Sequence, residues 1–175
     1  LEQILEERNV KLLCTVPNFQ NLTGLTYSVK KRKALCALLN RYSAYLIEDD
    51  PYGQLKFEGE VYPYIGSFGL KKSVLFGTIS KIITPGMRLG WICTKDRELM
   101  QHLETAKQAA DLHSNIFAQY AVYDYLMNHE LNEHIGKIKT LYKEQSDAML
   151  QAMKDFFPDT VTYTMPKGGM FVWGS

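Results

Sequence analysis

Short aliphatic and β-branched runs recur through the first half of the chain, at Lys11 to Val16, Ala44 to Glu48, Ser73 to Gly77 and Gly90 to Thr94. Helical or loop segments separate them, a rhythm that predicts an α/β fold with a largely parallel sheet. Between the first two runs, Leu35, Leu38, Leu39 and Tyr42 stand at the i, i+3, i+4, i+7 spacing of one buried face, and Ser28 is a suitable N-cap. This pattern predicts a helix from about Ser28 to about Tyr42 that covers the sheet. Beyond Thr94 the texture changes. Asp96 to about Asn128 and about Leu131 to Phe157 are long polar-apolar patterns without strands, the second with Ile135, Ile138, Leu141 and Tyr142 on one stripe. Phe157-Pro158 ends the helical run, and the turn Pro166-Lys167-Gly168-Gly169 separates two strand candidates, Val161 to Thr164 and Met170 to Trp173. A boundary is expected near the second long helix, which puts residues 1–130 in one unit and 131–175 in the start of another. Leu1 opens in what reads as mid-helix and the last strand candidate stops at Gly174-Ser175, so the chain is expected to be part of a longer one.

Composition narrows the class of partner. With 175 residues, 46% hydrophobic and 22% charged, the chain suffices for one ordinary globular core and carries no disorder signature. Its 20 basic and 19 acidic side chains leave a net charge of +1, spread along the sequence, so no electrostatic footprint for nucleic acid or a membrane surface emerges. A small molecule is the better expectation. Cys14, Cys36 and Cys93 form no CxxC pair and sit in apolar runs, where buried, inert thiols in a reducing compartment are expected. No run approaches about eighteen apolar residues and the start has no basic region, so a cytoplasmic protein is expected. His102, His113, His129 and His134 show no HExxH or carboxylate-histidine pattern, which favours surface or packing roles over metal ligation. Tyr120, Tyr123, Tyr125 and Tyr142 read as helix packing.

Four polar clusters stand at the predicted strand ends, where an α/β active site collects its groups. They are Asn21 to Gly24, Glu48 to Gly53, Thr78 to Lys81 and Pro85 to Gly90. Lys81 follows an apolar strand and precedes Ile82-Ile83, so its ammonium is drawn toward a partly dry interior. Desolvation disfavours the charged amine, and a neutral amine is what Schiff-base chemistry with an aldehyde needs. A lone lysine beside a strand is more often a snorkelling surface residue, roughly nine times in ten. Its neighbours change those odds. Arg88 offers a guanidinium fork suited to a phosphate, and Thr78 and Ser80 add hydroxyls for the same anion. Asp49 ends a strand of buried-type residues, where an acid is costly without a partner. A cofactor pyridinium nitrogen is such a partner, and a carboxylate there keeps that nitrogen protonated and the ring an electron sink. Tyr52 and the Asn21 amide are candidates for the ring's phenolic oxygen. Glu48 and Asp50 read as solvated or capping acids, Pro51 and Gly53 as turn formers. Gly168 and Gly169 are a turn first, with close backbone approach to substrate the sharper reading.

In order and spacing, Asn21 to Gly24, Asp49 to Gly53, Ser80-Lys81 and Arg88-Leu89-Gly90 resemble the signature of fold type I enzymes dependent on pyridoxal 5′-phosphate (PLP), specifically class I/II aminotransferases. Gly168 to Phe171 resembles that family's substrate-side strand. The resemblance implies part of the PLP-binding large domain, followed by the start of the small C-terminal domain. It implies that Lys81 holds PLP as a Schiff base and shuttles the substrate proton. Asp49 then takes the pyridine nitrogen, Tyr52 and Asn21 the phenolic oxygen, and Thr78, Ser80 and Arg88 the phosphate. Leu22 stands where the family has Pro, and Thr78 where Ser is commoner. The family's Gly-rich phosphate loop, ring-stacking aromatic and carboxylate-binding Arg have no counterpart in these residues, so the segment alone is expected to be inactive. The implied activity of the whole is amino transfer between an amino acid and a 2-oxo acid, in a homodimer, by an enzyme of the aminoadipate, aromatic or branched-chain kind. Two other activities fit the same residues: the PLP-binding effector domain of a GntR/MocR-type transcription regulator, and a PLP-dependent β-lyase.

Overall fold

The computed structural model describes all residues from Leu1 to Ser175. Strands β1 (Leu12–Thr15), β2 (Tyr45–Asp49), β3 (Ser73–Thr78) and β4 (Gly90–Thr94) form one sheet in the order β1-β2-β3-β4. The first three run parallel, and β4 is antiparallel to β3 with Thr78 opposite Gly90. The C-terminal ends of β1, β2 and β3 therefore lie on the same edge as the N-terminal end of β4. All four sequence clusters meet there.

Parallel neighbours need a crossover. Between β1 and β2 it is helix α2 (Val29–Tyr42), preceded in the chain by a short α1 (Glu2–Glu7). Ser28 Oγ accepts from the Lys31 amide at 3.2 Å and satisfies one of the helix's open N–H groups. Leu35 and Leu39 of α2 join Leu46, Ala44, Ile65 and Leu70 in the main core, with Leu38 and Tyr42 packed at its side, as the spacing predicts. Between β2 and β3 the crossover is irregular, with 3-10 turns at Gly53–Leu55 and Ile65–Phe68.

The second half differs from expectation in three places. Residues 96–128 hold two helices, α3 (Arg97–Asp111) and α4 (Ile116–Asn128), because two caps compete for the segment. Asp96 accepts from Leu99 N to start the first, and Asn115 accepts from Ala118 N to start the second. In α5 (Leu131–Phe156), Ile135 is buried and Ile138 and Tyr142 are half-buried, but Leu141 is exposed. At about 100° per residue, Leu141 lies about 120° from Ile135, off the stripe that Tyr142 shares. The segments 161–164 and 170–173 form no strands: one antiparallel bridge, Tyr163 to Gly174, joins them, and Gly168 bridges instead to Lys56. Elsewhere, Cys36 of α2 is buried as expected but Cys14 and Cys93, on the two edge strands β1 and β4, are exposed.

Candidate functional site

The edge is built strand by strand. Asp50 N donates to Phe76 O at 3.0 Å, which extends the β2–β3 ladder past Asp49 and fixes that residue beside the end of β3. From there Lys81, Ser80 and Arg88 all belong to the connection from β3 to β4. Its neck is closed by Thr78 Oγ1 donating to Leu89 O at 3.1 Å and by Ile79 N donating to the same oxygen. The Ile79 carbonyl accepts from Ile82 and Ile83 in turn, which winds the chain around a half-buried Lys81. Arg88 takes the left-handed conformation, φ 53°, at the exit of the Pro85–Met87 turn, and its Nη1 reaches only Pro85 O at 3.4 Å. Ser80 N donates to Thr78 Oγ1 at 3.1 Å, so the Thr78 hydroxyl is used on both sides within the loop. The Ser80 hydroxyl makes no hydrogen bond within the loop and the Arg88 guanidinium is exposed, which leaves both able to donate to an anion.

Of three consecutive acids at the end of β2, two are capping groups and the middle one is left without a hydrogen bond. Glu48 is almost fully buried at 1% exposure, so the expectation that it is solvated is corrected. It is a cap: Ile65 N and Gly66 N donate to its two carboxylate oxygens at 2.9 and 3.2 Å, and Arg32 lies 3.8 Å away. Asp50 also caps, accepting from Gly53 N at 2.9 Å and from Asn18 Nδ2 at 2.8 Å. Burial raises both carboxyls above their ordinary values, against the pull of these hydrogen bonds and of Arg32. On Asp49 burial acts alone and raises it with no hydrogen bond to offset the effect. Asp49 lines a cleft of about 500 Å³ with Phe76, Gly77, Trp91, Met100 and Leu103, whose wall includes none of Asn21, Tyr52, Thr78, Ser80, Lys81 or Arg88. That volume lies in the range of small-molecule sites.

Tyr52 is buried, and its ring meets Phe171 edge-on with centroids 5.4 Å apart. Burial pushes its hydroxyl up, the Asn21 side chain pulls it down, and the Asp49 charge adds to the rise. Asn21, Asp49 and Tyr52 are thus brought within each other's influence. Lys81 is hydrogen-bonded to none of them and stands in the loop that follows the neighbouring strand β3. The Asn21 loop rests on the Gly168–Phe171 segment: a Cβ on Gly24 would come 2.6 Å from Phe171 O, and one on Gly169 2.3 Å from Phe19 Cβ. The close approach predicted for the glycine pair is therefore to Phe19 of this chain. The Asn21–Leu22 peptide bond is cis.

Sequence reasoning missed Arg32 and Asn18. Arg32 is fully buried, donating Nε to Tyr27 O at 2.9 Å, Nη1 to Pro63 O at 3.2 Å, and Nη2 to Pro17 O at 3.0 Å and to Asn18 Oδ1. Burial lowers its guanidinium pKa, and the charges of Glu48 and Asp50 oppose that. Its place three residues before Leu35 and seven before Leu39, on the buried stripe of α2, was the available signal. Asn18 carried none.

The model of the family "Aminotransferase class I and II" matches residues 1–175. Aromatic-amino-acid aminotransferase 1 of Thermococcus litoralis is 41% identical over 100% of this chain and 43% of its own length. The crystal structure of LysN, the α-aminoadipate aminotransferase of Thermus thermophilus complexed with N-(5′-phosphopyridoxyl)-L-leucine, superposes with a TM-score of 0.94 at 33% identity, over 99% of this chain and 45% of that one. An HTH-type transcriptional regulator of Bacillus subtilis, YisV, is 30% identical over 93% of this chain and 34% of its own length. The chain spans less than half the length of the relatives it matches.

Proposed function

This chain belongs to the class I and II aminotransferase family, and on that premise we propose that the whole protein moves an amino group from an amino acid to a 2-oxo acid, with PLP held at Lys81. One observation carries the reading. Asp49 is an acid whose burial is offset by no hydrogen bond, at a strand end, in a cleft of small-molecule size. A cationic ring nitrogen supplies what the chain does not, and opposite charge at contact distance favours the charged form of both groups.

The other groups fit the same ligand. Tyr52 and Asn21, already coupled to each other, serve its phenolic oxygen. Arg88 and Ser80 serve its phosphate, and Thr78, committed to Leu89 O, shapes the loop and joins them only by turning its hydroxyl. When bound, PLP supplies the aldehyde and the electron-withdrawing ring on which amino transfer depends. Lys81 then has two tasks, to hold the cofactor covalently and, once displaced by substrate, to carry the substrate's Cα proton on Nζ. Phe171 closes one side of Tyr52 and keeps water from it.

Residues 1–130 are the C-terminal portion of the PLP-binding domain in this reading, since they hold every strand and every cofactor group, and 131–175 begin the small domain. The substrate class follows the relatives named for aromatic amino acids and aminoadipate. No helix is long and apolar enough to cross a membrane, and a cytoplasmic homodimer fits the near-neutral charge. The test is amino transfer by the full-length protein with PLP, from aromatic amino acids and from 2-aminoadipate to a 2-oxo acid. Oxo-acid product from either donor, abolished by Lys81→Ala, is expected. Pyruvate release from a cystathionine-like substrate, or donor-dependent DNA binding without any transfer, would replace this reading by a β-lyase or a regulator.

A further inference from the structure

A buried amide ties together the two loops that carry Asn21 and Tyr52. Asn18 is 1% exposed and lies three residues before Asn21. Its two ends face opposite partners: Oδ1 accepts from Arg32 Nη2, and Nδ2 donates to Asp50 Oδ1 at 2.8 Å. Asp50 Oδ1 in turn accepts from Gly53 N at 2.9 Å, which folds the turn that presents Tyr52. Asn18 is therefore a buried polar link between the Asn21 loop, after β1, and the Asp49–Tyr52 turn, after β2, beside the packing of Phe19 on Tyr52. Arg32 anchors it from behind through Pro17 O and through Pro63 O, the latter in the crossover from β2 to β3. Space is tight: a Cβ on Gly53 would come 2.8 Å from Asn18 Nδ2. A longer side chain has no room there.

We propose that Asn18 is a positioning residue, whose amide sets the placement of Asn21 against Tyr52 and Asp49 and thereby tunes the cofactor ring. The proposal rests on the function proposed above. Neither end of Asn18 touches substrate or cofactor; it acts through Asp50 and the backbone. An amide is required because one end must accept from a cation while the other donates to a carboxylate. Leucine meets neither demand and a carboxylate only the first, while a serine hydroxyl can donate and accept but is too short to reach both partners. Asn18→Asp keeps the shape and the contact with Arg32 but sets a carboxylate oxygen against Asp50, which drives the two loops apart.

The experiment uses the full-length protein loaded with PLP, and reads kcat, KM and the pH midpoint at which the bound cofactor's visible absorbance changes. Asn18→Asp is expected to lower kcat on the order of ten- to a hundredfold, as misplacement of reacting groups does, with a smaller change in KM. It is also expected to move the absorbance midpoint by about half a pH unit or more, because the donors to the phenolic oxygen have moved. Asn18→Ser, which retains an acceptor for Arg32 and loses the reach to Asp50, is the second probe should Asn18→Asp not fold, with the same two shifts expected. Wild-type kcat and midpoint in a folded Asn18→Asp or Asn18→Ser protein would overturn the proposal. If the unmodified protein takes up no PLP at Lys81, the functional reading beneath the proposal fails, a result that the absorbance of the parent protein reveals before any variant is made.

Discussion

Asp49 is the residue at which folding and binding pull in opposite directions. Its carboxyl is raised by burial, so between its unfolded value of about 3.9 and its folded value the native chain holds more protons than the unfolded one. Stability therefore falls as pH rises through that window and stays lower above it. Glu48 and Asp50 shift in the same direction and add to the slope. Asp49→Asn is expected to raise the melting temperature of the cofactor-free protein at neutral pH and to reduce, without abolishing, its loss of stability from pH 4 upward. The same change removes a charge-assisted contact to the cofactor, worth about 1.5–3 kcal/mol, or roughly 10- to 100-fold in PLP affinity. Thermal melts of the cofactor-free protein and PLP titrations check the two effects, and a variant that lost stability while retaining affinity would contradict them. At this scale the sequence is informative wherever a residue type conflicts with its surroundings. Lys81 after an apolar strand and Asp49 at the end of another announce themselves that way. Asn18 does not, because an asparagine in a loop is unremarkable until its two partners, Arg32 and Asp50, are brought to it by the fold.

Elements show the same division. The strands and α2 are legible because burial periodicity leaves a local trace: Leu35 and Leu39 recur with the helix, and aliphatic runs mark the sheet. The break at Leu112–Asn115 and the bridge that replaces the last two strands are not legible. Each depends on which cap or partner wins in three dimensions. Glycines give the clearest element-scale test, since the same substitution has opposite expected signs at two places. Gly136 lies in α5 with open space around its Cβ position, so Gly136→Ala is expected to stabilise by about 1 kcal/mol. Gly169 has φ +74° and stands against Phe19, so Gly169→Ala is expected to cost about 1–3 kcal/mol and to loosen the contact between the Asn21 loop and the Gly168–Phe171 segment. Urea unfolding of the two variants measures both; equal signs would refute the packing described for the loop.

For the whole molecule, the exposed apolar surface sets the expectation. Only 24 of 175 residues are buried, while Phe117, Tyr120, Tyr123 and Met127 of α4 are 61–76% exposed and Trp91 and Ile92 of β4 are also open. The reading of Tyr120 and Tyr123 as helix packing is thus not met within this chain. Apolar surface on this scale binds partners or aggregates. The 175 residues produced alone are accordingly expected to bind a hydrophobic dye such as ANS, to self-associate, and to catalyse no measurable amino transfer. A monomeric, dye-negative and active 175-residue protein would overturn that expectation. The covalent anchor and the charge partners of the cofactor were legible because they are local motifs at strand ends; the loop-to-loop bracing by Arg32 and Asn18 was not, because it joins residues far apart in sequence. The central claim, that this edge of the sheet is a PLP site anchored on one lysine, is tested most directly by borohydride reduction of the full-length protein with PLP followed by peptide mass spectrometry. The pyridoxyl group fixed on Lys81 is the predicted result, and its appearance on any other lysine, or on none, would contradict the account.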